Sequence, residues 1–206
     1  MKKLFSACLL IFSLLLANVA PAFAASHYGD AVFRDGTLLG ATWHAAINNY
    51  YTVGQSVVHA PGGSSVVQRA SWTAFISTNT ITGKPNNYQG PPQYRSGMTE
   101  SDLNNILNTA LYLADRANVT YNAIDLMQGS TSGTYISPGG VTQLRCDGLV
   151  EYCYEWYNWP VLTDGNGNWD ITNINSRPYH STYYRTWEGD TFNPVTQWSY
   201  MDPHYD

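Results

Sequence analysis

From Tyr28 to Ser71 the apolar residues come in short runs broken by glycine, asparagine and proline. The segments GDAVFRDG, TWHAAINNYY, QSVVHAPGG and SSVVQRAS each hold an apolar or alternating stretch bounded by turn residues, which predicts four strands. HAPGGSSVV reads as two of these joined by a tight glycine-containing turn. WTAFIS fits a short helix or turn. TNTITGKPNNYQGPPQYRSG is so rich in proline, glycine and asparagine that it predicts a loop.

At Thr99 the period changes. TESD supplies an N-cap and an acidic residue three positions on, and Leu103, Ile106, Leu107, Ala110, Leu111 and Ala114 then recur at helical spacing. The glycine, serine and threonine run QGSTSGTYISPGG predicts a loop leading to a second helix over 146–157. Beyond it the chain is aromatic and asparagine-rich with little periodicity, and irregular strands that wrap the core are expected there. No internal repeat or second domain is visible.

The amino terminus follows a different logic. Lys2 and Lys3 precede the apolar run LFSACLLIFSLLLA, and APAFA ends in small residues around Ala22 and Ala24, the pattern of a secretory signal peptide cleaved after residue 24. Residues 25–206 are then expected to form a single exported domain, secreted or periplasmic, with no segment apolar enough to span a bilayer. Without the leader, eight basic residues face fifteen acidic ones, a formal charge of −7, and Lys84 is the sole lysine. Such a chain is a poor ligand for nucleic acid or anionic membrane.

Export sharpens the question of the cysteines, since only Cys146 and Cys153 follow the leader. On one helix their Cα atoms would stand about 10 Å apart at a rise of about 1.5 Å per residue, beyond the reach of about 7 Å for a disulfide. Both thiols are therefore expected to be free. Cys146 heads its helix, where the dipole and unpaired N–H groups favour a thiolate, and an imidazolium beside it would lower its pKa further. His44 and His59 lie on consecutive predicted strands and can face each other across a hairpin. A thiol, a base and a group to orient that base are the requirements of nucleophilic catalysis.

The segment YGDAVF…WHAAINNYYTVGQSVVHAPGGSSVVQRAS resembles the strand block of the NlpC-type papain-like cysteine peptidases: Gly-Asp before an apolar strand, His-x-x-Ile, then an apolar strand ending His-Ala-Pro. RCDGLVEYCYEW resembles the family's Cys-Ser-Gly-Leu-Val helix start, and VTYNAIDLM is similar to its tyrosine-bearing approach to the cysteine. Here the cysteine helix follows the histidine strands, an order similar to the circularly permuted branch that includes YiiX-like and lecithin retinol acyltransferase-like proteins.

The resemblance spans residues 28–157. It implies an α+β permuted papain-like fold, with an antiparallel sheet packed against the helix that carries the cysteine at its N-terminus. It also implies Cys146 as nucleophile, His44 as general base, His59 as the orienting residue and Tyr121 near the oxyanion, with no metal or organic cofactor. The implied reaction is cleavage of an amide, with a cell-wall (peptidoglycan) stem peptide as candidate substrate. A lipid or ester acyl hydrolase or acyltransferase on the same triad is the alternative, and a non-catalytic binding module that kept the fold is another. One departure matters: the family's peptidases carry Asp before and Ser after the cysteine, where this chain has Arg145 and Asp147. Specificity for cell-wall peptide does not carry over.

DGNGNWD spaces Asp164, Asn166, Asn168 and Asp170 like a calcium loop, but Trp169 replaces the tight-turn glycine and Asn175 the closing glutamate, so a turn is expected. His27, His180 and His204 show no metal-type spacing, and no zinc site is expected.

Overall fold

The computed structural model describes residues 27–35, 43–51, 53–77, 87–116, 118–123, 126–129, 137–161 and 193–205. The leader, DGNGNWD and His180 lie outside them.

The four predicted strands form as β1 (Ala31–Asp35), β2 (Trp43–Asn48), β3 (Ser56–His59) and β4 (Gln68–Ser71), with a single helical turn, α1 (Trp72–Phe75), after them. Each pairs antiparallel with the one before it. Within the predicted proline-rich loop lies another strand, β5 (Tyr88–Tyr94), which joins the free side of β1. Its prolines, Pro91 and Pro92, are tolerated because the register slips there: Ala31 pairs with Gln93, but Phe33 pairs with Gln89. Such an irregularity releases the backbone groups that a proline cannot pair. A short final strand, β9 (Asp202–Pro203), completes a six-stranded sheet in the order β4-β3-β2-β1-β5-β9. Strands β6 (Thr120–Tyr121), β7 (Met127–Gly129) and β8 (Val141–Leu144) make a small second sheet, with β8 central.

Helix α2 spans Glu100–Asp115 and starts as its sequence predicts: Thr99 caps the Asp102 N–H, and Asp102 returns the bond to the Thr99 N–H. Its buried stripe is Leu103, Ile106, Leu107, Ala110 and also Leu113, while Leu111 and Ala114 sit at its margin. Helix α3 runs Cys146–Glu155 and passes into a turn before Tyr157. In the carboxy-terminal region, where irregular strands were expected, the described residues form a short helix, α4 (Pro194–Ser199), followed by β9. The architecture is thus α+β, built on an antiparallel sheet and a few helices. Among the described residues no helix is long and apolar enough to cross a membrane.

Strand alternation divides the sheet into two faces. Ala31, Phe33, Ala45, Ile47 and Val58 pack into the large core with Leu149, Val150 and Cys153 of α3. Val32, Ala46 and Val57 face the other way, against Phe75. The helix is seated closely. A Cβ on Gly148 would lie 1.9 Å from the Leu126 carbonyl oxygen, so only glycine permits this approach.

Tyr154, also on α3, is fully buried and fastens the helix to two strands. Its hydroxyl accepts from the Ala31 N–H at 3.2 Å and directs its proton toward the Gly29 and Gln93 carbonyls at 3.0 and 3.2 Å. Tyr154→Phe strands these groups without solvent and is expected to cost about 2 kcal/mol. Urea unfolding measures it; a midpoint equal to that of the parent would contradict this account.

Candidate active site

The two strand histidines meet. His44 Nε2 and His59 Nδ1 are 3.0 Å apart, and both residues are buried. Their rings meet edge to face and both pack on Phe75, with centroids 5.8 and 5.9 Å from its own. Because His59 engages Nε2, the Nδ1 of His44 is the atom left for proton transfer. His59 Nε2 is itself buried without a partner.

Cys146 opens α3 and is buried, with only 6% of its surface exposed. The helix lies on the Ala45 face of the sheet, whereas His44 and His59 project to the Phe75 face. The sulfur therefore meets β2 at the backbone, where the Ala45 N–H, next in the chain to His44, points toward it. Among the described residues no hydrogen bond joins Cys146 to His44.

Other groups surround the thiol. Tyr121 sits on β6 beside Leu144 of β8, close enough for its phenol to interact electrostatically with Cys146 and Asp147. Burial, then those two groups, push the phenol up to about 12, so it stays a hydroxyl. Arg145 and Asp147, which flank the cysteine, clasp each other, with Nε–Oδ1 at 2.6 Å and Nη2–Oδ2 at 2.7 Å. Asp147 is fully buried, and its Oδ1 also accepts from the Gly148 N–H. This fork explains how the chain accommodates a charged residue on each side of Cys146: each neutralises the other.

The electrostatics correct one expectation. Burial, reinforced by the Asp147 carboxylate, pushes the Cys146 thiol up to about 12, while the Ala45 N–H, Arg145 and the Asp147 N–H pull the other way. The helix terminus does not ionise this sulfur, because desolvation outweighs the dipole. Burial also lowers His44 well below its ordinary value, with His59 and Arg34 acting in the same direction, and lowers His59 to about 4. At rest the site holds a neutral thiol and two neutral imidazoles.

Arg34 is the residue that sequence reasoning missed. It pairs in register with His44 across β1 and β2, and its guanidinium lies 5.4 Å from the Phe75 centroid. Its Nε is buried without a partner. Burial lowers its pKa, and the Cys146 sulfur and Asp35 oppose that shift. The signal was present in AVFRD, where a cation shares the strand face of Val32 amid an apolar run.

Cys146 and Cys153 are both free, in agreement with the spacing argument. His27 and His204 converge on Asp30 from opposite ends of the described chain. No family model, curated protein or solved structure matches this chain.

Proposed function

We propose that this chain is an exported thiol hydrolase of permuted papain-like architecture, acting through Cys146, His44 and His59. The observation that carries the reading is Arg34: it pairs in register with His44 and lies over the same Phe75 ring on which His44 and His59 pack, and its charge acts on the Cys146 sulfur as well, so residues distant in sequence share one electrostatic neighbourhood. The paired histidines support it further, since His59 orients His44 through the ring nitrogen remote from the proposed reaction.

The neutral resting state favours general-base activation over a preformed ion pair. Because the two side chains stand on opposite faces of the sheet, this reaction requires a rearrangement on substrate entry that brings Sγ and His44 Nδ1 to hydrogen-bond distance. His44 takes the thiol proton as sulfur attacks the carbonyl carbon. The tetrahedral oxyanion is held by the Cys146 N–H, at the first turn of α3, and by the Tyr121 hydroxyl. The proton on His44 then passes to the leaving amine or alkoxide, which leaves a thioester on Cys146. His44 next deprotonates a water that cleaves the thioester and restores the thiol. The substrate is an amide, with a peptidoglycan stem peptide as the first candidate.

The test uses an activated acyl ester with mass analysis of the intact protein. One acyl group should appear on Cys146 and none on Cys153, and Cys146→Ala should remove it. Equal, slow modification of both cysteines would overturn the enzyme reading in favour of a binding module. Parallel digestion of purified peptidoglycan and phospholipid vesicles then separates amide from ester cleavage.

A further inference from the structure

We propose that His27, Asp30 and His204 form a binding site for a divalent transition metal of the zinc type, which ties the carboxy-terminal strand to the start of β1. His27 and Asp30 lie in the turn that leads into β1, and His204 follows β9. His27 Nδ1 is 2.7 Å from Asp30 Oδ2, and His204 Nδ1 is 3.0 and 2.9 Å from Oδ1 and Oδ2. Donor atoms of the three side chains all lie within 4.8 Å of one another.

The surroundings fix this geometry in advance. Asp30 is fully buried and His27 only 5% exposed. The turn is held by Asp30 N–H to the His27 carbonyl and by Asn48, whose N–H donates to the Asp30 carbonyl and whose Nδ2 donates to the His27 carbonyl. His204 is placed from the other side, by its N–H on the Pro92 carbonyl at 2.8 Å and by stacking on Tyr94 at 4.3 Å. Both imidazoles present the same ring nitrogen to one oxygen.

Charge and donor chemistry favour a cation. A carboxylate removed from water is costly unless its charge is met. A divalent ion meets that charge and binds both Nδ1 atoms as lone-pair donors. Two imidazoles and a carboxylate form an N,N,O set that suits zinc, with a fourth position for water. Tetrahedral bonds of about 2.0–2.1 Å place donor atoms about 3.3 Å apart. The two His–Asp separations, 2.7 and 2.9 Å, need to widen by about half an ångström, and the two imidazole nitrogens already lie within 4.8 Å of each other.

The full chain without its leader should be stripped with chelator, then titrated with zinc chloride by calorimetry and with cobalt(II) by visible absorption. One equivalent of zinc should bind and raise the thermal midpoint by about 5 °C, and cobalt should give tetrahedral bands. His204→Ala, close to the end of the chain, should retain the fold and lose both effects; Asp30→Asn is the second variant. Absence of zinc binding by the parent, or equal binding by His204→Ala, overturns the site. A midpoint lowered by His204→Ala yet insensitive to zinc in either protein also overturns it, and identifies a hydrogen-bonded clip instead. None of these readouts depends on Cys146.

Discussion

His44→Ala is expected to slow acylation of Cys146 by about 10²–10⁴-fold, the usual range for a general base. The loss should be this large because burial holds the thiol up to about 12. At neutral pH almost no sulfur ionises unaided, so the reaction depends on removing the proton as the bond forms. A preformed thiolate would depend less on its base. Lowered His44 also sets the pH profile: its ring stays neutral, hence basic, well below pH 6.5, and the acid limb of kcat/KM should fall correspondingly low. His59→Ala should reduce the rate less and move that limb, since His59 acts through His44. Single-turnover acylation across pH, with circular dichroism to verify the fold, measures all three. An unchanged rate in His44→Ala, or an acid limb at the ordinary imidazole value, would sink the proposed role of His44.

Acidification itself should destabilise the protein through the same pair. Both histidines have folded pKa values below the unfolded value, so the unfolded chain binds more protons as pH falls, and stability rises with pH across that interval. The contribution is fully present above about pH 6.5 and is lost as pH drops through the folded values, which for His59 is about 4. A depression of that size corresponds to a loss on the order of 3 kcal/mol between those limits, with His44 acting in the same direction. Arg34 intensifies the effect, because a protonated ring would sit beside an existing cation. Chemical denaturation at several pH values should show a steep decline over this window, and His44→Gln with His59→Gln should flatten it. Equal slopes in parent and double variant would place the acid sensitivity elsewhere.

Much of the scaffold was legible because it is locally encoded. Thr99 and Asp102 cap α2 within one turn, and the apolar period of Leu103, Ile106, Leu107 and Ala110 selects the face that is buried. The four strands from β1 to β4 announce themselves through short apolar runs and glycine punctuation, and the pairing of His44 with His59 follows from a hairpin between neighbours. Strand β5 was not legible: prolines argue against a strand locally, and only the open side of β1 and the shifted register make one there.

The chemistry divides in the same way. Residue types, order and local period determined by themselves which side chains were candidates: a helix-heading Cys146, two strand histidines and cysteines too far apart to bond. Tertiary structure alone decided their state. Desolvation is a property of everything packed around a group, so it raised the Cys146 thiol against the helix dipole and kept the histidines neutral. Register placed Arg34 beside His44, and sheet order brought His204 back to His27 and Asp30. Linear spacing cannot carry such contacts, because their partners are chosen by the path of the folded chain.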